Sequence, residues 1–338
     1  MPDYPENKAI DDWLANETPE TVLEPDLPII DPHHHLWDNR AIDPGMGFEQ
    51  RLYLCEEISN DITQSGHNIR QTVFAQCGAF YRADGPEEMR SVGETEFVNG
   101  VAAMSRSGTY GDARLCTGIF SAADLRLGAA VEPVLEAHMA ASPNFRGIRT
   151  AFPSILNAQF LEGYALLAKH NLSFDNWSPN AARLPTLAQL ASKQPEVTVI
   201  VNHFGGHIDA NASTDDKANW RDNLDTVAKC PNAVLKVGGV QMRVGPWEPT
   251  FHMHQKAAPS SSEELCDILY PAYEYAIQAF GPERCMFESN FPVDRECVSY
   301  RTLWNLFKRI AAKAGLSESE KTAMFSGTAA QAYRLAPV

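Results

Sequence analysis

The chain has 338 residues, and its 28 Lys and Arg against 43 Asp and Glu give a formal charge of −15, which argues against nucleic acid and anionic membranes as partners. With 44% hydrophobic and 21% charged residues it has the composition of a globular protein with ample core. No apolar run nears the ~20 residues of a membrane span, and the polar, acidic stretch from Met1 to Asn16 lacks the basic start and apolar core of a signal peptide. Seven cysteines, odd in number and without a CxxC pair, are expected as free thiols of a reducing cytoplasm.

Residues 1–27 read as an arm. Asp11-Asp12-Trp13-Leu14 predicts a short helix there, and Pro19, Pro25 and Pro28 break the segment. An apolar run then climbs into a strand over 28–35 that ends in three consecutive histidines. Side chains at i and i+2 of a strand share a face, so His33 and His35 point one way with Asp31 below them, and His34 points away. Leu52, Leu54, Ile58 and Ile62 recur at helical spacing, and Gly66 stops that helix. The alternation repeats, with strands over 69–77, 114–120, 145–149, 172–177, 198–203, 233–237 and 285–290. Helices follow them over 94–105, 122–141, 160–170, 184–193, 217–229, 263–280 and 299–314. A closing helix over 318–333 starts behind Ser317, an N-cap with Glu320 as its box partner. Eight strand–helix units predict an α/β fold with a parallel sheet, and eight is the number that closes a (β/α)8 TIM barrel over 28–338. An open doubly wound sheet is the alternative. No glycine pattern for a dinucleotide or a P-loop follows an early strand.

Active sites of barrels gather at the C-terminal ends of the strands. Those ends carry His33 and His35, Gln76, Arg146 and Arg149, Asp175 and Trp177, Asn202 and His203, Lys236 with Gly238-Gly239, and Glu288 with Asn290. Such a polar crown over apolar strands fits a catalytic barrel, although any one member can be a buried polar group satisfied by its neighbours. The His33–His35 pair suits a metal, an anion or a carbonyl. His203 precedes Phe204-Gly205-Gly206, whose glycines let the chain turn sharply beside a ligand. His207 is read as rim, His252 and His254 as loop residues with an HxH spacing, and His138 and His170 as surface or core fillers. Tyr81 and Arg82 open a long loop suited to a lid.

Three stretches together resemble the amidohydrolase-2 branch of the amidohydrolase superfamily: Asp31-Pro32-His33-His34-His35-Leu36-Trp37, Asn202-His203-Phe204-Gly205-Gly206 and Met286-Phe287-Glu288-Ser289-Asn290-Phe291-Pro292-Val293. Phe145-Arg146-Gly147-Ile148-Arg149 is similar to the family's fourth strand, and the segment from Ser326 to Arg334 to its C-terminal helix. The resemblance implies a barrel and a metal- or histidine-assisted hydrolase, nearest to lactonases of sugar lactones and of pyrone or muconolactone carboxylates. More distant relatives are zinc-dependent decarboxylases and hydratases, and a non-catalytic binding barrel is a further alternative.

One position departs from the pattern. The family usually ends its eighth strand in an aspartate that binds metal and shuttles protons, and here that residue is Asn290. An amide takes no proton near neutral pH and is a weak ligand. The fifth strand also lacks a histidine ligand, carrying Phe174-Asp175-Asn176-Trp177. The expected site therefore has His33, His35 and His203 converging on a carbonyl, through one divalent ion (Zn²⁺ or Mn²⁺) or directly as donors without metal. Asp175, Glu288 or Asp294 is the expected general base, and Asn290 holds the water or substrate. Arg149 and Arg146 clamp a substrate carboxylate, with Tyr81 and Trp177 as apolar walls and Gln76 beside them. The expected partner is a small molecule, and the arm and loop insertions suit a homodimer.

Overall fold

The computed structural model describes residues 4–38, 49–150, 155–178, 180–206, 213–239 and 253–338. Its strands are β1 (Ile29–His34), β2 (Ile69–Ala75), β3 (Arg114–Ser121), β4 (Phe145–Thr150), β5 (Ser173–Asn176), β6 (Val199–Val201), β7 (Ala233–Val237) and β8 (Cys285–Phe287). They pair in sequence order, every neighbour parallel, as repeated strand–helix–strand crossovers demand. The ring closes just past β8. His34 bridges Phe291, Asn290 N donates to the His33 carbonyl at 2.9 Å, and His35 N donates to the Phe291 carbonyl at 2.7 Å. The result is a (β/α)8 barrel, not the open sheet.

The helices are α1 (Pro5–Leu14), α2 (Cys55–Ser65), α3 (Val92–Arg106), α4 (Glu132–Ala141), α5 (Ala158–Lys169), α6 (Leu184–Lys193), α7 (Thr214–Ala228), α8 (Ser262–Phe280), α9 (Tyr300–Lys313), α10 (Glu318–Thr322) and α11 (Thr328–Tyr333). The period of two sorts the strand residues into two cores. Ile29, Phe74, Ile119, Ile148, Phe174, Leu235 and Phe287 pack outward under the helices. Ile30, Val73, Ala75, Phe120, Ile200 and Met286 fill the barrel, together with Ala329, Ala332 and Tyr333 of α11.

Two helices differ from expectation. The one predicted over 122–141 is α-helical only as α4; a 3-10 stretch, Leu125–Val131, precedes it, interrupted at Gly128 with φ 60°. Gly128 supplies that positive φ without the cost a side chain would carry there, and the kink lies against Glu162 of α5. The closing helix is split by a π turn, Ala323–Gly327, between α10 and α11. That turn packs Phe325 on Phe287, with ring centres 4.8 Å apart, while Tyr333 ends among the barrel-filling residues. The Ser317–Glu320 capping box is present.

The amino-terminal segment is fastened to the barrel. Trp13 Nε1 donates to the Lys256 carbonyl at 2.8 Å, and Lys308 Nζ of α9 donates to the carbonyls of Leu23 and Glu24 at 2.7 and 2.8 Å. All seven cysteines are free. Among the described residues, no helix is long and apolar enough to cross a membrane.

Asp31 is not below the histidines. The β1–β2 register shifts between Asp31 and His34, so Ile30 and His33 both face the barrel interior although three residues apart in the chain. Asp31 turns instead toward α9, accepting from Ser289 N at 3.0 Å, Ser289 Oγ at 2.5 Å and Tyr300 OH at 2.8 Å. Burial raises its carboxyl to about 6 against the pull of these donors.

Candidate active site

Alternation carries the barrel's apolar lining upward into a polar layer. Two residues above Ile200, Val234 and Met286 stand Asn202, Lys236 and Glu288, all fully buried. β6 and β8 end at Val201 and Phe287, so His203 and Asn290 sit on the turns beyond. Both have left-handed backbones, φ 49° and 55°. Asn tolerates that region better than most side chains.

His33 and His35 share a face as expected, with their Nε2 atoms 3.2 Å apart. His34 faces out, bonding Thr72 Oγ1 at 2.8 Å. His203 lies against His33 with ring centres 4.6 Å apart. The outer nitrogens of two rings are held: His35 Nδ1 donates to the Ala75 carbonyl at 2.8 Å, and His203 Nδ1 to Glu288 Oε1 at 2.7 Å. His203 Nε2 is buried with no hydrogen-bond partner. Burial, then the nearby Lys236, holds His33 well below the usual histidine range. Burial lowers His203 too, with Glu288 opposing. The imidazoles His33 and His203 are therefore neutral at pH 7.

Beneath the rings lies a fixed charge cluster. Lys236 Nζ is 3.1 Å from Asp175 Oδ1 and 3.1 Å from His33 Nδ1, over the rings of Phe120 and Tyr333 at 4.5 and 5.2 Å. Asp175 Oδ1 also accepts from Asn202 Nδ2 at 2.9 Å and Tyr333 OH at 2.8 Å. Burial lowers the Lys236 pKa, and Asp175 and Glu288 pull it back up. Arg149 lies across the mouth and donates to the Gln76 carbonyl at 2.7 Å. Trp37 and Val293 pack with Cys77, Ala79 and Trp177 in an apolar wall, and Trp37 stacks on His35 at 5.8 Å.

Two glycines admit this packing. A Cβ on Gly238 would lie 2.4 Å from Glu288 Cγ, and one on Gly239, at φ +68°, would lie 2.3 Å from His203 Nδ1. Only a chain without side chains at these points lets His203 and Glu288 close over the end of β7.

The sequence profile of the amidohydrolase family matches residues 30–335. The chain belongs to the amidohydrolase family. An uncharacterized protein of Sinorhizobium fredii is 30% identical, covering 92% of this chain and 99% of its own length. The L-fucono-1,5-lactonase of Burkholderia multivorans is 26% identical over 90% of this chain and 96% of its own. An amidohydrolase crystal structure from Burkholderia multivorans with bound zinc is 24% identical, covers 91% of this chain and 99% of its own, and superposes with a TM-score of 0.70.

Members of this family usually depend on a metal. The amidohydrolase described above fits one: two imidazoles have their outer nitrogen engaged, His203 Nε2 is an orphaned buried atom, and His33 Nε2 faces His35 Nε2 at 3.2 Å. Tetrahedral zinc with nitrogen ligands at about 2.0–2.1 Å sets neighbouring ligands about 3.3 Å apart. His33, His203 and Glu288 place ligand atoms within 4.8 Å of one another, and these, with His35 beside His33, are the residues that would hold it.

Several candidates of this amidohydrolase lie elsewhere. Arg146 is a correction: its guanidinium bonds the carbonyls of Pro143 and Phe145 at 2.7 and 2.9 Å, at the entry end of β4. Three residues of strand separate it from Arg149, about 10 Å. Tyr81 is 38% exposed, a rim residue rather than a wall, with its OH 3.3 Å from Gln76 Nε2. Asp175 is the counter-ion of Lys236, and Glu288 the acceptor for His203. Asp294 is buried and accepts from Asn290 Nδ2 at 2.9 Å, leaving Asn290 Oδ1 without a partner. His207 and His252 lie outside the described residues, and His254 pairs with Glu49 at the surface. His138 is a core residue stacked on Phe145 at 4.9 Å. Lys236 stood at a strand end in the sequence but without a role, and Tyr333 stood only within the segment that resembles the family's C-terminal helix.

Proposed function

We propose that this amidohydrolase opens a lactone of a small carboxylated or sugar-like substrate by attack of an activated water. The observation that carries the reading is His203: a neutral imidazole with a bare, buried Nε2, backed by a carboxylate at 2.7 Å and set beside two further imidazoles. A carboxylate on Nδ1 fixes the tautomer and stabilises the imidazolium once Nε2 takes a proton. Asp175 and Glu288 serve those fixed partners, which makes the His203–Glu288 pair the best-placed base.

Water attacks the ring carbonyl and gives its proton to His203 Nε2. The ring C–O bond then breaks, and the same proton goes to the leaving alkoxide, so the product is a hydroxy acid. Asn290 Oδ1 accepts the water's second hydrogen and aims its lone pair. Arg149 pairs with a substrate carboxylate, and the wall of Trp37 and Trp177 covers the apolar face of the ring. A divalent ion bound at these imidazoles would take the place of the proton at His203 Nε2, and would then polarise the carbonyl and acidify the water in that base's stead. The relative named as an L-fucono-1,5-lactonase supports an ester ring as the substrate.

A lactone panel read by acid release from a pH indicator, with and without chelator, tests the proposal. His33→Ala and His203→Ala are expected to abolish turnover of every lactone the native protein opens. Full activity in both variants would overturn the reading.

A further inference from the structure

Each ring nitrogen in the histidine cluster carries either a proton or a lone pair, and the neighbours decide which. The Ala75 carbonyl can only accept, so His35 carries its proton on Nδ1 and a lone pair on Nε2. Glu288 Oε1 does the same for His203. His33 is different. Its Nδ1 lies 3.1 Å from Lys236 Nζ, an ammonium that only donates, and 2.9 Å from Glu288 Oε2, a carboxylate oxygen that only accepts. One nitrogen cannot serve both.

The two choices have opposite consequences at the other end of the ring. If Nδ1 accepts from Lys236, the proton sits on Nε2 and points at the bare Nε2 of His35, 3.2 Å away. A closed chain then runs from Lys236 through His33 and His35 to the Ala75 carbonyl, with every donor matched. If Nδ1 instead donates to Glu288, two bare nitrogens face each other at that distance, an arrangement that a cation between them would favour and empty space would not. Both forms of the ring are neutral, so the choice is one of tautomer only. The Lys236 contact has hydrogen-bond geometry, while Glu288 Oε2 has no hydrogen-bond partner. The structure thus stands in the first form with the acceptor for the second already in reach.

Lys236 is fixed in this role. It is fully buried, bonded to Asp175, and set on the faces of Phe120 and Tyr333. We infer that Lys236 is a positioning residue that latches His33 in its Nε2–H tautomer and thereby weakens the site's hold on a divalent cation. An incoming cation must move the His33 proton to Nδ1 and must also sit near the Lys236 ammonium. The carboxylate within reach, Glu288, is already engaged as the acceptor for His203, and the usual aspartate beyond it is the neutral Asn290. The inference concerns cation affinity and holds whichever bond the enzyme breaks.

The test is made on the full chain without substrate. Histidine-selective ¹⁵N spectra of chelator-treated protein distinguish the two tautomers, with His33→Gln assigning the signal. Zinc affinity is read by competition with a chromophoric chelator. The variant is Lys236→Met/Asp175→Asn, which removes the ammonium together with its counter-ion; if it does not fold, Lys236→Met is read in the same way. The expected result is an Nε2–H signal for His33 in the native protein, an Nδ1–H signal in the variant, and zinc bound about tenfold tighter by the variant. A native His33 already in the Nδ1–H form, or a folded variant whose zinc affinity changes less than threefold or loosens, overturns the inference. A protein that opens no lactone can still give either outcome, so failure of the lactonase reading is separable from failure here.

Discussion

Glu94 of α3 is fully buried and holds the loop after β2. Its Oε1 accepts from the backbone N–H groups of Cys77, Gly78 and Ala79 at 3.1, 2.8 and 3.0 Å, and its Oε2 from Ser121 Oγ at 2.8 Å. Cys77 and Ala79 belong to the apolar wall, and Arg149 bonds the Gln76 carbonyl just before them, so this one carboxyl shapes one side of the mouth. Burial raises it from 4.5 to about 7, although all four donors pull it down. A folded pKa above the unfolded one means that the native state binds the proton more tightly. Stability is then fullest below pH 4.5 and is lost as pH rises toward 7, by about 3 kcal/mol at 1.4 kcal/mol per pH unit. Glu94→Gln keeps an acceptor for the three N–H groups, and Ser121 Oγ can turn to accept from the amide. The variant is expected to match the native protein at pH 4.5 and to exceed it by about 3 kcal/mol at pH 8. Urea unfolding of both proteins at pH 4.5, 6, 7 and 8 reads the difference, in which the other titrating groups cancel. A gap that does not widen with pH, or a variant weaker at pH 8, would refute the reasoning.

Two further substitutions probe the mouth. Gly239→Ala puts a Cβ 2.3 Å from His203 Nδ1 at φ +68°, which costs about 1–2 kcal/mol in backbone conformation alone; an ångström of ring displacement lowers turnover about 100-fold, read by kcat and thermal melting together, and native-like kcat would show that the ring does not depend on this approach. Arg149→Lys trades a fork for a point charge, so KM for carboxylated lactones is expected to rise about tenfold while that for uncharged lactones stays; equal changes for both would remove the carboxylate clamp from the mechanism.

Much of the barrel could be read from the chain because a parallel strand with a helix behind it writes its period directly. The shared face of His33 and His35 follows from a period of two, and so does the outward turn of His34. Asp31 breaks the rule because the β1–β2 register shifts between Asp31 and His34, and Pro32, which cannot donate to the ladder, is the residue that marks the irregularity in the sequence. Arg146 and Arg149 look equivalent in sequence, yet a strand has a direction and the residue three places earlier belongs at the other end of the barrel. That correction was available from strand polarity alone. The roles of Lys236 and Tyr333 were not, because their partners His33 and Asp175 are 203 and 158 residues away and no local pattern ties an ammonium on β7 or a phenol on α11 to a histidine strand. The loss of the usual aspartate at Asn290 was plain in sequence; what it bonds was not.

That bond determines what restoring the aspartate would do. Asn290 Nδ2 donates to Asp294 Oδ1 at 2.9 Å, and both side chains are fully buried. Asn290→Asp replaces the donor by an acceptor and sets two carboxyls in contact. Such a pair keeps one proton between them, with one pKa raised well above its unfolded value. By the same sign as for Glu94, the variant's native state is favoured at low pH, where a protonated carboxyl donates in place of the amide, and is weakened as pH climbs through the raised pKa. The loss expected at pH 8 is about 2–4 kcal/mol, a buried hydrogen bond to a charged group together with like-charge repulsion. Asn290→Asp/Asp294→Asn restores one donor and one acceptor and is expected to recover the native melting temperature at both pH values. If the single variant melts like the native protein at pH 8, the Asn290–Asp294 contact is not what holds the eighth strand's end, and the amide is there for the substrate alone.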